Sequence, residues 1–449
     1  MISGEKITSA HYTHKAAFTN FLPKLNALGT YMHTTEEISV LSGNQKTAIS
    51  NIGTVTQQDL TKALTQFAQN NPAMAQLLQP LAGLIPNIAT ALNASGAKLV
   101  DAFRTDTRNL YAGSLILTQP IYMGGKIAAY NKITKYAEEL AKTQYKTGRE
   151  DLILNTDQAY WQVISLVNKK KLAEKYLELV NLLDSDIQKM INEGVATKAD
   201  GLTVKVKVNE ADMTLTRVED GLSLSKMVLC QLCGIPLDTD IKLADEDEET
   251  LPVVEKKVAA EVGIALENRS ELRSLELATK IYKQKVNVTR ADYLPSVALT
   301  GNYMVTNPSL FNGFETKFRD MWAIGVIVKI PIWNWNEGLY KVRAAKAEAN
   351  IAKYQLADAK EKIELQVNQA TFKVNEANKK LAKATKNLEK ADENLRYANL
   401  GFEEGVIPTS NLLEAQTAWV SAQSEKIDAQ IDVKLTDIYL QKSLGILKY

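Results

Sequence analysis

Few residues in the chain are of types that could catalyse a reaction or hold a metal ion. Cys230 and Cys233 form a Cys-x-x-Cys motif, which serves redox chemistry or zinc binding in other proteins. The chain has no further cysteine, and no βαβ pattern surrounds the motif. We therefore interpret the pair as small apolar residues at the buried end of a helix. A Cys-x-x-Cys oxidoreductase is an alternative that explains this one motif and none of the architecture.

Two further groups of candidate ligands are equally isolated. His11 and His14 would lie on one face of a helix, but no third ligand lies near them in sequence. The acidic run from Asp245 to Glu249 could attract cations, although a solvated loop is the better interpretation. We therefore expect no catalytic residue, no metal and no cofactor, and we do not expect an enzyme.

The composition excludes some classes of partner. Among 449 residues, 53 are Lys or Arg and 52 are Asp or Glu, so no excess of positive charge indicates nucleic-acid binding. No apolar run reaches the ~18–20 residues of a transmembrane helix. The residues after Met1 lack the apolar segment of a secretory signal, so either the protein is cytoplasmic or its true N-terminus is missing. The internal repeat described below places Met1 inside a helix of the first copy, and we therefore expect an N-terminally truncated version of a longer precursor.

The strongest pattern is a long helix in the second half of the chain. Its apolar residues recur in alternating steps of three and four, which is typical of a helix packed along a coiled-coil seam. No proline occurs between Pro331 and Pro408, so the helix is expected to run from about 338 to 404. The seam consists of Val367, Ala370, Val374, Ala377, Leu381, Ala384, Leu388, Ala391, Leu395, Ala398 and Phe402.

The sequence also repeats itself at an offset of 211 residues. Glu193-Gly194-Val195 matches Glu404-Gly405-Val406, and Gly234-Ile235 matches Gly445-Ile446. A constant offset over more than a hundred residues predicts a structural duplication. Each copy is expected to contain one helical hairpin, over 124–234 and 334–446, with a glycine-containing turn at its tip.

Four segments alternate apolar and polar residues and are predicted to be β-strands. They span 21–33, 110–123, 294–306 and 320–333. Alternation with aromatic residues near the strand ends is typical of a lipid-facing β-barrel. Four strands cannot close a barrel around a channel, and open sheet edges do not occur in lipid. If these strands lie in a membrane, the chain is therefore expected to oligomerise; the alternative is a soluble hairpin on a helical protein.

The first copy contains about 61 residues that the second lacks, because Leu22-Pro23 matches Leu294-Pro295 at an offset of 272 instead of 211. The insertion covers 34–109, and we expect it to lie on the extracellular side as short helices broken by Pro72, Pro80, Pro86 and Gly96. Residues 1–20 are expected to be the end of a truncated helix.

This arrangement resembles the TolC-type outer-membrane efflux proteins, the outer membrane factor family. Two copies of strand, loop, strand, long helix, glycine turn and returning helix are shared, over residues 21–445 except the insertion. The most specific motifs are Leu22-Pro23 and Leu294-Pro295 before the strands, Gln119-Pro120-Ile121-Tyr122 and Ile330-Pro331-Ile332-Trp333 after them, the two Glu-Gly-Val turns and Cys233-Gly234-Ile235-Pro236-Leu237.

The resemblance implies a mainly α fold with a small β part. Three copies would form a homotrimer with a 12-stranded transmembrane β-barrel in the cell outer membrane and an α-helical barrel in the periplasm. Residues 235–293 would form the equatorial region and an ascending helix. The partners would be a periplasmic adaptor (membrane fusion) protein and an inner-membrane RND, ABC or MFS transporter, and the trimer would export drugs, toxins or proteins.

The resemblance also implies the site residues. Adaptor docking at the tips would involve Gly194, Val195, Ala196, Thr197, Gly405, Val406, Ile407, Pro408 and Thr409. The pore constriction would involve Phe402, Asn411 and Glu414. Asn411 departs from the family's usual pair of acidic residues, and Ile407 stands where the family often has an arginine. The alternative function is a soluble coiled-coil scaffold that binds partner helices, which would explain the seams but not the strands.

Overall fold

The computed structural model describes residues 2–35, 41–104, 108–246, 259–309 and 315–447. They form two compact units. The helical unit comprises 1–17, 128–289 and 339–449, and the strand unit comprises 18–127 and 290–338. Of the acidic run predicted to be a solvated loop, 247–249 lie outside the described residues.

Helices dominate the chain. In order they are α1 Ile2–Phe18, α2 Gly43–Ser50, α3 Ile52–Asn70, α4 Ala75–Ala102, α5 Lys126–Asn192, α6 Lys198–Cys233, α7 Val262–Asn268, α8 Ser270–Ala291, α9 Glu337–Glu403 and α10 Thr409–Leu444. None of the helices within the described residues is both long enough and apolar enough to cross a membrane.

The duplication predicted from the sequence is confirmed by the helix lengths. α5 and α9 each have 67 residues, and α6 and α10 each have 36. Both ends of α9 and of α10 lie 211 residues after the corresponding ends of α5 and α6. The offset therefore relates whole helical hairpins and not only short motifs.

The seam of α9 is buried from Val367 to Leu388 as its spacing predicts, and its last four residues, from Ala391 to Phe402, are half buried. Val367 and Ala370 are fully buried, in a cluster with Leu440 and Leu444 of α10 and Leu272 of α8. Farther along, Ala377, Leu381 and Ala384 pack with Ala429 and Val433. The large residues and alanines of this seam thus pack against α10 in successive apolar clusters along the helix.

Each long helix begins after two residues in the left-handed region of backbone conformation. In the first copy these are Gly124 and Gly125, with φ of 62° and 83°. In the second copy they are Trp335 and Asn336, with φ of 51° and 61°, again 211 residues later. At Gly124 a Cβ would also lie 2.7 Å from the carbonyl oxygen of Ala291. Both the left-handed backbone and the lack of space for a side chain therefore favour glycine at this position.

The strand unit is built on one four-stranded antiparallel sheet in the order β1-β2-β3-β4. The strands are β1 Lys24–His33, β2 Asn109–Met123, β3 Ser296–Asn307 and β4 Arg319–Lys329. β1 and β4 are therefore edge strands, and every residue of both is exposed.

Two details correct the strand boundaries expected from the sequence. β1 begins at Lys24, after a 3-10 turn at Thr19–Phe21. β4 ends at Lys329, so Ile330–Trp333 are not part of the strand. Pro331 has no N–H to offer to the ladder, which explains this early end. The equivalent Pro120 stays within β2, at a register irregularity between Pro120 and Tyr122.

The insertion also differs from the expected short broken helices. α3 and α4 are separated at a 3-10 turn, Pro72–Met74, but α4 continues through Pro80, Pro86 and Gly96. Tertiary packing overrides the local signals here. A Cβ on Gly96 would lie 2.1 Å from the carbonyl oxygen of Ile49, so this glycine permits close contact between helices instead of ending one.

Candidate functional site at the hairpin tips

The turn between α5 and α6 is fixed by backbone hydrogen bonds. Gly194 has φ of 77°, its N–H donates to the carbonyl oxygen of Ile191 at 3.1 Å, and the N–H of Val195 donates to that of Met190 at 2.8 Å. This pair of bonds is the Schellman motif, which satisfies the last carbonyl groups of a helix and needs a left-handed residue. The glycine of this predicted docking tip thus has a definite structural role.

The turn between α9 and α10 has the same backbone structure. Gly405 has φ of 72°, its N–H donates to Phe402 at 3.0 Å, and the N–H of Val406 donates to Gly401 at 2.7 Å. Both turns present a valine to solvent, since Val195 is 73% and Val406 78% exposed. The molecule therefore displays two apolar side chains on two matching, rigid turns.

The two turns differ in how the returning helix begins. Thr197 and Asp200 form a capping box at the start of α6, with the Asp200 N–H donating to the Thr197 hydroxyl at 3.2 Å. Hydrogen bonds from the hydroxyl and N–H of Thr197 lower the pKa of Asp200. α10 instead has Pro408 at this position, without a side-chain cap. Thr409 is buried, and half-buried Ile407 packs near Gly401.

A shared core holds the two tips together. Leu183 and Ile187 of α5, Val204 of α6, and Leu412 and Leu413 of α10 form one buried cluster within the helical unit. The predicted constriction residue Phe402 is half buried and packs against this cluster. Phe402 therefore has a structural contact at the position where the sequence led us to expect a pore-lining side chain.

The other two predicted constriction residues, Asn411 and Glu414, lie exposed on the first turns of α10. Glu414 lines a shallow groove with Thr203 and Lys207 of α6 and Thr417 of α10. Lys207 donates to Glu210 at 2.7 Å, so its charge is already paired.

One acidic residue near the tips, Asp200, was not predicted from the sequence. Asp200 occupies in the first hairpin the position that Asn411 occupies in the second, because the two are 211 residues apart. The repeat offset was the signal that could have found it. The first two turns of the returning helices thus carry one acid each, Asp200 on α6 and Glu414 on α10.

The Cys-x-x-Cys motif and the pair of histidines near the N-terminus were the candidates for redox or metal chemistry. Cys230 is buried and Cys233 is exposed, and both are free thiols. The Nδ1 atoms of His11 and His14 lie 3.2 and 2.9 Å from the two carboxylate oxygens of Glu138 on α5. Among the described residues, no group of His, Cys, Asp and Glu is arranged to hold a metal ion.

Glu138 is the most strongly perturbed carboxylate of this region. Hydrogen bonds from Lys142 first, and then from His14, lower its pKa to about 2. The side chain is only 12% exposed, so the bonds are partly shielded from water. This cluster fastens α1 to α5 and involves no residue of the tips.

One face of the sheet is apolar. The register aligns Leu25, Leu117, Gly301 and Ile324 in one row across the four strands. Aromatic residues lie at both ends: the rings of Tyr31 and Tyr111 are 5.0 Å apart near one end, and those of Trp333 and Trp335 are 5.6 Å apart just beyond the other. An apolar band between two aromatic groups is the surface that transmembrane β-strands present to lipid.

Comparisons with known proteins agree with this description. Residues 262–446 match the family described as outer membrane efflux protein. The alkaline protease secretion protein AprF of Pseudomonas aeruginosa is 24% identical over 380 residues, which cover 82% of this chain and 78% of AprF.

Solved structures share the whole fold. The outer membrane protein VceC of Vibrio cholerae superposes with a TM-score of 0.73 at 14% identity, covering 99% of this chain and 92% of VceC. The CmeC outer membrane channel of Campylobacter jejuni also gives 0.73 at 14% identity, covering 99% of this chain and 82% of CmeC.

The fold, with two repeats of a strand pair and a long helical hairpin, is the fold of these TolC-type outer-membrane proteins. Residues 262–446 match the outer-membrane efflux family, in agreement with the resemblance in the motifs. Members of this family are channels and not enzymes, and their place is the outer membrane. The family match favours this class over the soluble scaffold considered as an alternative.

Proposed function

We propose that three copies of this chain form a channel-tunnel that exports molecules across the cell envelope. The observation that carries the proposal is the sheet with its two exposed edge strands, β1 and β4, each of which is paired on one side only within the described residues. In lipid each unpaired backbone group costs several kcal/mol, so the edges need partners. Pairing β4 of one copy with β1 of the next closes twelve strands into a barrel without further elements.

The second part of the proposal concerns the partners. The tips at 194–197 and 405–409 would bind a periplasmic adaptor, which connects the tunnel to an inner-membrane RND, ABC or MFS transporter. Exposed Val195 and Val406 support this role, because apolar side chains on rigid turns can dock into a partner without a large loss of conformational entropy. Ile407 gives the second tip an apolar side chain at the position where the outer membrane factor family often has an arginine.

The cargo would be small molecules such as drugs and toxins, or proteins. The relative that matches over most of the chain is described as an alkaline protease secretion protein, which supports protein export of the type I kind. Besides the exposed Val195 and Val406, the described residues of the tips present scattered polar groups, with no enclosed pocket for one small ligand.

Docking at the tips can be tested by photo-crosslinking in intact cells. A photoreactive amino acid at Val195 or Val406 is expected to yield one covalent product, identified by mass spectrometry as a periplasmic adaptor. The control is the same amino acid at Val55, which is 54% exposed but lies in the insertion. Products of equal yield at Val55 and at the tips, or no adaptor at either tip, would refute the docking proposal.

A further inference from the structure

The insertion folds as a helical hairpin on a narrow neck. The neck is closed by a hydrogen bond from the Thr34 N–H to the carbonyl oxygen of Arg108, at 2.8 Å, next to the paired ends of β1 and β2. Within the hairpin, Gly53 of α3 touches Ala89 of α4, where a Cβ would lie 2.0 Å from the Ala89 carbonyl oxygen. The side-chain oxygen of Asn93 accepts from the N–H of Gly53 at 2.8 Å, and its amide donates to Thr54 at 2.8 Å.

α4 has a second apolar face that α3 leaves uncovered. The face against α3 contains Ile85 and Ala89, both buried. At ~100° per residue, a stripe on one flank of that face holds large apolar residues that are about half exposed. These residues are Leu81, Leu84, Ile88 and Leu99, at 53%, 52%, 49% and 49% exposure.

The opposite flank of α4 is different in character. It carries Gln79, Asn87, Thr90 and Asp101, all exposed. On α3, Ile52 and Phe67 are also about half exposed, at 49% and 50%. Because α3 and α4 run antiparallel, the same helical geometry puts these two side chains on the side of the hairpin that carries the α4 stripe. The hairpin therefore has one apolar side and one polar side.

We propose that this apolar stripe packs against the insertion hairpins of neighbouring copies of the same chain. The inference rests on the proposed trimer, in which each copy carries its hairpin on an identical neck at the same end of its sheet. In a closed threefold assembly like surfaces lie at equal height around the axis, so three stripes that face the axis can pack together there. The contact would join the three copies beyond the barrel strands themselves.

The charges of the hairpin favour a second copy over a lipid surface. Between Ile52 and Ala102 there are two lysines and two aspartates, Lys62, Lys98, Asp59 and Asp101, so the net charge is zero. Helices that lie on membranes are rich in Lys and Arg on their polar face. Here that face carries mainly Gln, Asn and Thr, and copies can approach without repulsion between like charges.

Cysteine crosslinking in the full-length protein tests the proposal. The background is Cys233→Ser, since Cys230 is buried. Ile88→Cys is compared with Thr90→Cys, a matched control two residues away on the polar flank of the same helix. A short bifunctional maleimide is added to the detergent-purified protein and to outer-membrane preparations. We expect at least fivefold more covalent dimer and trimer of the chain from Ile88→Cys than from Thr90→Cys.

The other outcomes overturn the inference and are separable from failure of the proposed function. Equal crosslinking at both positions, or none at either, with the trimer intact by native mass spectrometry refutes the stripe contact alone. Quenching of a fluorophore on Ile88→Cys by brominated lipid, but not of one on Thr90→Cys, assigns the stripe to the membrane surface and also refutes it. A monomeric native mass refutes the proposed function as well.

Discussion

At the level of single residues, the two copies show how one backbone structure is kept with different side chains. The left-handed pair before the long helix is Gly124-Gly125 in the first copy and Trp335-Asn336 in the second. A left-handed conformation costs a non-glycine residue about 1–2 kcal/mol, and asparagine tolerates it better than tryptophan. The two glycines would have allowed the turn to be predicted in the first copy, whereas Trp335 gives no local signal for it.

Three single substitutions test this backbone argument. Gly125→Ala is expected to lower the free energy of unfolding by about 1 kcal/mol, because open space surrounds the added methyl and only φ opposes it. Asn336→Gly is expected to have the opposite effect. Gly148→Ala, at an exposed position within α5, is the control and should stabilise by ~0.5–1 kcal/mol. Thermal unfolding followed by circular dichroism measures all three, and a destabilising Gly148→Ala with a neutral Gly125→Ala would contradict the argument.

The cluster around Glu138 leads to a prediction about pH. Its pKa lies at about 2, below the ordinary value of 4.5, so its bonds to Lys142, His14 and His11 stabilise the fold fully above pH 4.5. That contribution is lost as the pH falls from 4.5 through about 2. Glu138→Gln should therefore reduce stability at pH 7, by on the order of 1 kcal/mol after allowance for solvent screening.

The measurement is the melting temperature of both proteins from pH 7 to pH 2, where the two curves should converge. Glu139→Gln is the matched control, since Glu139 is more exposed and lies 3.9 Å from its partner Arg273. A constant difference between wild type and Glu138→Gln over the whole pH range would show that the carboxylate does not act through its charge.

At the level of elements, the long helices were the most predictable part of the fold. Spacing alone identified the α9 seam from Val367 to Phe402, because every third or fourth residue must meet the same neighbour. The insertion was less predictable, because Pro80, Pro86 and Gly96 are helix-breaking locally. α4 remains one helix because its glycine and alanine contacts with α2 and α3 stabilise it, and such contacts cannot be read from local sequence.

At the tips, too, the local turns could be predicted from the sequence, whereas the packing between the two hairpins could not. Gly194 and Gly405 signalled the turns, and their Schellman bonds were foreseeable from sequence. Their side-by-side packing was not, since the cluster around Ile187 and Leu412 joins residues more than two hundred positions apart.

A substitution in the seam tests the contribution of the α9–α10 contact. Val367 of α9 is fully buried against α8 and α10. Val367→Ala therefore leaves a small cavity and should lower the free energy of unfolding by about 2 kcal/mol. Leu365→Ala is the control, because Leu365 is 58% exposed on another face of the same helix. Chemical unfolding of the purified protein should show a lower midpoint for Val367→Ala than for Leu365→Ala. The reverse order would mean that the seam is not the main contact of α9.

At the level of the whole molecule, the proposed channel requires three copies of the chain. A single chain supplies four strands and two helical hairpins, and neither a barrel nor a tunnel can be closed from these alone. In the proposed trimer, Glu414 appears three times around the axis near the tips. A ring of carboxylates in a narrow pore attracts cations and repels anions.

Ion selectivity in planar bilayers therefore tests the role of Glu414. Glu414→Gln should reduce the preference of the channel for cations over anions severalfold, while the native mass of the assembly remains that of a trimer. Glu5→Gln is the control, since Glu5 is an exposed acid on α1. Helix α1 contacts Glu138 of α5, and Glu138 lies ~80 Å along α5 from the tip. Unchanged selectivity in Glu414→Gln would show that Glu414 does not line the constriction.

The most direct measurement is the native mass of the full-length protein purified from membranes in detergent. Edge strands that pair between copies predict a single species of three times the 49.7 kDa chain, stable on dilution. A stable species with the mass of one chain, its β1 and β4 edges unpaired, would contradict the account at its foundation.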